Sequence, residues 1–204
     1  MNNIEVKSDY IYLNNDNINS LLNNKSYIID SSLLSEKLEI IIPDNYTLNF
    51  YIKNFSDSKF DLAFIQNNNS NLSVSFSVIS NQKSSYKVFN YVNGSNNKTV
   101  IKGRIYNKEE ADTIVEVNGL IKEGTLNNDY TEDVRGLNLY SNNLVIKPNL
   151  IVSTNEVVAN HMVSISNFDD KKIDYLKEKG IGNKNVKELL LNAFLNEIFP
   201  LDII

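Results

Sequence analysis

His161 is the only histidine among 204 residues, and the chain has no cysteine. Imidazole carries a proton near neutral pH and is a common metal ligand, so this side chain is the first place to look for chemistry. It lies in "LIVSTNEVVANHMVSIS", residues 150–166, a stretch with the pattern of strands. A metal site is recognised from several ligands together. Glu156 is five residues away, and an odd separation in a regular strand puts two side chains on opposite faces. The face that His161 shares carries Val157, Ala159 and Val163. A local metal site is therefore incomplete. Two readings stay open: a histidine without a ligand role on a half-exposed strand, or one ligand of a site that a second chain completes.

Carboxylates cluster three times, at Glu109, Glu110 and Asp112, at Asp129, Glu132 and Asp133, and at Asp169 and Asp170. Paired carboxylates can cleave glycosides or hold calcium. For that, Glu109, Asp112, Asp129 and Asp133 would have to converge on one face. The first two groups fall in segments with loop composition and the third opens a helical pattern, where solvent and the helix dipole account for them. "GIGNKN" at Gly180 has two glycines but no Lys-Ser/Thr pair, and it lies between two helical patterns, so it is a turn and not a phosphate loop. A single histidine and no Gly-x-Ser-x-Gly elbow leave no serine triad to assemble. Without cysteine there is no disulfide, no Cys-ligated zinc, no thiol nucleophile and no protein thiolate for an iron–sulfur cluster.

The elements that must position these residues are mostly short strands. "KLEIII", "TLNFYIKNF", "FDLAFI", "LSVSFSVI", "YKVFNYV", "TVIKGRIY", "TIVEVNGLI", "VRGLNLY", "NLVIKPNLIV" and "VVANHMVSI" follow one another between residues 37 and 166. The clearest period of two is Leu72, Val74, Phe76 and Val78 against Ser73, Ser75 and Ser77. The links are Asn-rich, and Asn tolerates the left-handed turn region. No long amphipathic helix intervenes, which excludes alternating strand–helix folds. Few tight hairpin dipeptides and many Asn corners favour a solenoid of stacked coils, with a sandwich still open on pattern alone. After Asn167 the period changes. Asp169 and Asp170 start one helix, Gly180 stops it, and Asn183 or Asn185 caps a second that ends before Pro200. These helices would close the open end of the solenoid, dock a partner, or do both. The chain thus divides into a short N-terminal segment (1–36), a β body (37–167) and a helical region (168–204).

A net charge of −5 with no basic block argues against nucleic acid or an anionic membrane as partner. No apolar run approaches the length of a membrane span, and the first residues lack the features of a secretory signal, so the expected location is the cytoplasm or an organelle stroma. Asparagine makes up 35 of 204 residues, an excess that, alongside Lys, Ile and Tyr, suggests AT-rich coding composition more than mechanism.

From Lys147 onward, "KPNLIVSTNEVVANHMVSISNFDDKKIDYLKEKGIGNKNVKELLLNAFLNEIF" resembles the end of the SufB/SufD family of iron–sulfur cluster assembly proteins. Pro148, Leu150, Val157, His161, Asp169, Tyr175, Leu176, Gly180, Ile181, Leu189, Leu190, Ala193 and Phe194 match that family's pattern in order and spacing. "KTVIKGRIY" resembles one of its coils less specifically. The resemblance implies a right-handed parallel β-helix with a C-terminal two-helix cap. It implies a non-enzymatic, SufD-like scaffold subunit that pairs with a SufB-like chain, or with its own copy, through the β-helix. A SufC-like ABC-type ATPase would dock on the C-terminal helices, with Tyr175, Lys179, Lys184 and Glu188 as contacts. His161 would be the candidate iron or cluster ligand at the partner interface, with no cofactor held stably and at most a transient iron–sulfur cluster shared with the partner. The chain departs from the family where a cysteine is replaced by Ala159, where Gly-Ala-Thr becomes Met162, Val163 and Ser164, and where the cysteine of SufB-type chains becomes Asn142. Those losses favour the SufD-like role over the SufB-like one. A stand-alone β-solenoid binding module for surfaces or polysaccharides is the alternative.

Overall fold

In the computed structural model, residues 10–139 and 143–203 are described; Asn142 lies outside them. The strands are β1 (Tyr10–Leu13), β2 (Lys25–Ile29), β3 (Lys37–Ile42), β4 (Thr47–Phe55), β5 (Lys59–Gln66), β6 (Asn71–Ser80), β7 (Lys83–Val92), β8 (Lys98–Asn107), β9 (Asp112–Ile121), β10 (Asn128–Asn138), β11 (Leu144–Val152) and β12 (Val157–Ser166). From β2 onward the chain alternates between two parallel sheets. One sheet runs β1-β2-β4-β6-β8-β10-β12 and the other β11-β9-β7-β5-β3. This is the expected parallel β-solenoid, and β1 and β2 continue its first sheet upstream of residue 37.

The alternating residues explain why the coils stack. Leu72, Val74, Phe76 and Val78 of β6 are all buried and stand in register with Thr99, Ile101, Gly103 and Ile105 of β8. Stacking in register puts apolar side chains over apolar side chains, so the core is a set of columns running along the solenoid. Aromatic rings fill the wider part, with Tyr27 stacked on Phe50 at 5.6 Å between ring centres and Phe60 against Tyr86 at 5.1 Å. Buried polar side chains bond one another around Gln66. Thr99 donates to Gln66 at 2.7 Å, and the Gln66 amide donates to the Ser70 carbonyl at 2.9 Å.

The outer corners give part of the asparagine excess a mechanical reason. Asn45, Asn69, Asn96 and Asn127 all adopt left-handed backbone (φ 66°, 54°, 59° and 55°). They occupy equivalent places just before β4, β6, β8 and β10. Asn96 donates its side-chain amide to Asn69 at 3.1 Å, and Asn127 donates to Asn96 at 3.2 Å. One residue further on, the Asn97 side-chain oxygen accepts from the Ser70 backbone N–H, and that of Asn128 accepts from the Asn97 N–H. Asn is the residue with a Cβ that most readily takes this conformation, and its amide both donates and accepts along the stack.

The two helices follow the β body. Helix α1 (Asp170–Glu178) is capped by Asp169, whose carboxylate accepts from the Lys171 N–H at 3.0 Å. It ends at Gly180, with φ +85° and the N–H of Ile181 returning to the Leu176 carbonyl. Helix α2 (Asn183–Asn196) takes Gly182 as its N-cap, so neither Asn183 nor Asn185 caps it. The helices do not lie across the last coil. Leu195 packs with Tyr106 and Leu137, and Ile198 and Phe199 pack with Tyr51, on the outer face of the larger sheet. The tail reaches back to the first coils, where Tyr10 donates to Asp202 at 2.7 Å and Lys53 to the Ile203 carbonyl at 3.0 Å.

The corner column predicts a graded response. Asn96→Ala removes both ladder bonds and puts a residue less tolerant of left-handed backbone at φ 59°, for an expected loss of about 1–2 kcal/mol in urea denaturation. Asn96→Gly removes the same bonds without the backbone strain and should lose measurably less. Equal losses would show that left-handed strain plays no part.

Candidate functional site

The expected site residue lies at the end of one core column. Phe50, Val74, Ile101, Glu132 and His161 are successive in-register partners on β4, β6, β8, β10 and β12. Phe50, Val74, Ile101 and Glu132 are all fully buried. The column is apolar until its last two members, a carboxylate and an imidazole. Among the described residues β12 has one paired neighbour, β10, and β11 has one, β9. The interior side of this last coil is therefore an open mouth. His161 and its face-mates Val163 (37% exposed) and Ile165 (46%) stand there uncovered, although their partners Val134 and Glu132 are fully buried one coil below. The sharing of one face by His161, Val157, Ala159 and Val163 holds in the register.

The second acidic group needs a correction. Asp129, Glu132 and Asp133 are not in a loop but within β10, which begins at Asn128 and not near Val134. Charged residues masked the period of two. Tyr130, Glu132, Val134 and Gly136 face the interior, while Asp133 and Arg135 face outward. Tyr130, itself buried, donates its hydroxyl to Glu132 Oε1 at 2.8 Å, and Glu132 Oε2 has no hydrogen-bond partner. Gly119 makes room for this ring, since a Cβ there would stand 2.5 Å from the Tyr130 hydroxyl. Burial drives the Glu132 carboxyl up to about 7, and the Tyr130 hydroxyl bond only partly offsets it. Burial and the neighbouring carboxylate push the Tyr130 hydroxyl well above its ordinary value.

On the outer face, Asp133 joins a network of charges. Arg104, 3% exposed, donates to Asp133 Oδ2 at 2.9 Å and also pairs with Glu197 just past α2. Arg135 donates to Asp133 Oδ1 at 2.9 Å. Burial alone would raise the Asp133 carboxyl, but the two guanidiniums outweigh it and hold it below the usual range.

The carboxylates required for a calcium or carbohydrate site do not converge. Asp129 and Lys98 form an exposed ion pair, and Asp133 is committed to arginines. Among the described residues no group of three or more His, Cys, Asp or Glu is placed to hold a metal. The four helical contact candidates are exposed. Tyr175 lines an apolar groove with Leu176 and Leu190, and the Lys179 ammonium sits 5.4 Å from the Tyr175 ring centre. Lys184 and Glu188 lie one turn apart on α2. No helix among the described residues is long and apolar enough to cross a membrane.

Sequence reasoning missed that Glu132 is the in-register neighbour of His161. The signal was present in "YTEDVRG", where Tyr130, Glu132 and Val134 alternate as in any inward-facing strand.

The buried carboxylate makes stability depend on pH. The folded-state value of about 7 lies above the ordinary 4.5, so between these values the folded chain binds more protons than the unfolded one. Stability from this group falls as pH rises through that window, by about 3 kcal/mol in all. Glu132→Gln should therefore raise the urea midpoint at pH 8 and change it little at pH 4.5. The same increment at both values would contradict the assignment.

Comparison with known proteins agrees with this geometry. The family description "SUF system FeS cluster assembly, SufBD core domain" matches residues 53–194, which takes in β5 to β12, α1, most of α2 and His161. An iron-sulfur cluster assembly SufBD family protein of Mycobacterium leprae is 40% identical over 52 residues, 25% of this chain. That match spans 13% of the relative's length. The family match covers well over half of the chain: the chain belongs to the SufBD family of iron–sulfur cluster assembly proteins.

Proposed function

We propose that the chain is a SufD-like, non-enzymatic scaffold subunit of a SUF cluster assembly complex, acting in the cytoplasm or an organelle stroma. The observation that carries this reading is the open mouth of the solenoid. β11 and β12 each present an unpaired edge, and the interior residues Val163 and Ile165 are exposed beside His161. An unpaired, flat, apolar edge is stabilised by another strand laid against it. A SufB-like chain is the fitting occupant, because this chain has no thiolate of its own and an iron–sulfur cluster needs thiolate ligands. His161 then adds one imidazole to ligands supplied from across the interface. The nascent cluster is cargo shared between the subunits, not a resident group.

The helical region is the proposed seat of a SufC-type ATPase. The groove lined by Tyr175, Leu176 and Leu190 offers an apolar surface with Lys171 and Lys172 at its border. Lys179, Lys184 and Glu188 extend the same exposed region. Its position on the outside of the larger sheet leaves the mouth free for the other subunit.

Co-expression of the full chain with SufB-like and SufC-like proteins should yield a complex that co-purifies; if none does, the scaffold reading fails. Ile165→Asp should abolish pairing with the SufB-like chain while leaving the thermal midpoint of the isolated chain nearly unchanged, because Ile165 is exposed in it. In the intact complex, His161→Ala should lower the yield of reconstituted cluster. Unchanged yield would reduce His161 to a surface residue.

A further inference from the structure

One buried ionisable group, Glu132, has no part in the scaffold role. Glu132 is fully buried, its Oε1 is engaged by Tyr130, and its Oε2 has no partner. An unsatisfied carboxylate oxygen in a core is costly, and such groups call for an explanation. The in-register partner of Glu132 on β12 is His161. Parallel strands in register put both side chains on the same face, one interstrand step of about 4.8 Å apart. The remaining neighbours on that face of β12, Ala159 and Val163, carry no donor in their side chains. Among the described residues on that face of β12, His161 alone carries a side-chain N–H, although no hydrogen bond joins it to Glu132 in the structure. The two groups also differ in reach. Glu132 is enclosed below the last coil and is shut off from a partner chain, whereas His161 is exposed at the mouth.

We propose that Glu132 is the positioning residue for His161: its free oxygen accepts one imidazole N–H, fixes the ring tautomer, and leaves the other nitrogen facing out of the solenoid mouth toward a divalent first-row metal ion. A histidine that binds metal commonly donates its second N–H to a carboxylate or carbonyl, which orients the ring and raises its basicity. The buried carboxylate and the exposed imidazole divide these duties between two adjacent coils. The metal-facing half of this assignment rests on the scaffold reading; the carboxylate–imidazole contact does not.

The sole histidine makes the contact directly measurable, since the nitrogen-15 spectrum of the labelled full chain contains one imidazole. At about pH 8, where an ordinary imidazole is neutral, the wild-type ring should favour one tautomer strongly. Glu132→Leu should return the ratio to that of a free imidazole. Glu132→Gln, whose amide oxygen still accepts, should keep most of the bias. Urea denaturation of both variants confirms folding. An unbiased wild-type ring, or a bias that survives Glu132→Leu, overturns the assignment. In the co-purified complex, Glu132→Leu should lower cluster yield as His161→Ala does; full yield with the bias lost would overturn the functional half. Failure of any complex to form would instead count against the scaffold reading, and the tautomer measurement would still decide the contact.

Discussion

Everything in this molecule depends on the register of parallel strands. Each coil repeats the last, so a residue meets its equivalent above and below. In the interior that rule builds apolar columns such as Phe50, Val74 and Ile101. At the corners it builds the asparagine column. The same rule has a consequence at the final coil, where the column has no next member. The mouth is apolar and uncovered because it is core without a neighbour, and a solenoid that presents such a face is shaped for association.

The register also decides what His161 is. As a residue in a lone strand it was one polar group among aliphatics. As the last member of a column it stands directly over Glu132, on the face that faces inward everywhere else in the chain. The cost of burying Glu132 next to it falls on stability and not on function. A carboxyl driven to about 7 is a group the fold tolerates rather than needs. The tyrosine that holds it has room only because position 119 is glycine.

Much of the fold was legible in the sequence. Residues 72–78 announced their strand because serine and apolar side chains alternated without interruption. Gly180 announced the end of α1 because only a residue at ease with positive φ closes a helix that way. The beginning of β10 was hidden because Asp129, Glu132 and Asp133 resemble loop residues until their partners, Tyr130, Arg104 and Arg135, are placed beside them. Those partners are nearby or distant in sequence with no periodic sign. The corner asparagines were visible as an excess but not as a column, since the coils differ in length and no fixed repeat aligns them. The seat of the helices was also not legible. The apolar stripe of α2 showed that it packs, but Tyr51, Tyr106 and Leu137, against which the helix and the tail behind it pack, come from three different coils.

The charge network around Arg104 bears on how force passes through the molecule. Arg104 is nearly buried, and its guanidinium is shared between β10 and the end of α2. Parting the helix from the sheet would remove Glu197 and leave Arg104 held within the sheet by Asp133 and the Gly103 carbonyl. The helical region is thus tied to the coils at Arg104, and its tail at Tyr10 and Lys53. These ties reach β8, β1 and β4, so a displacement of the helices would load early and middle coils together and not the last coil alone.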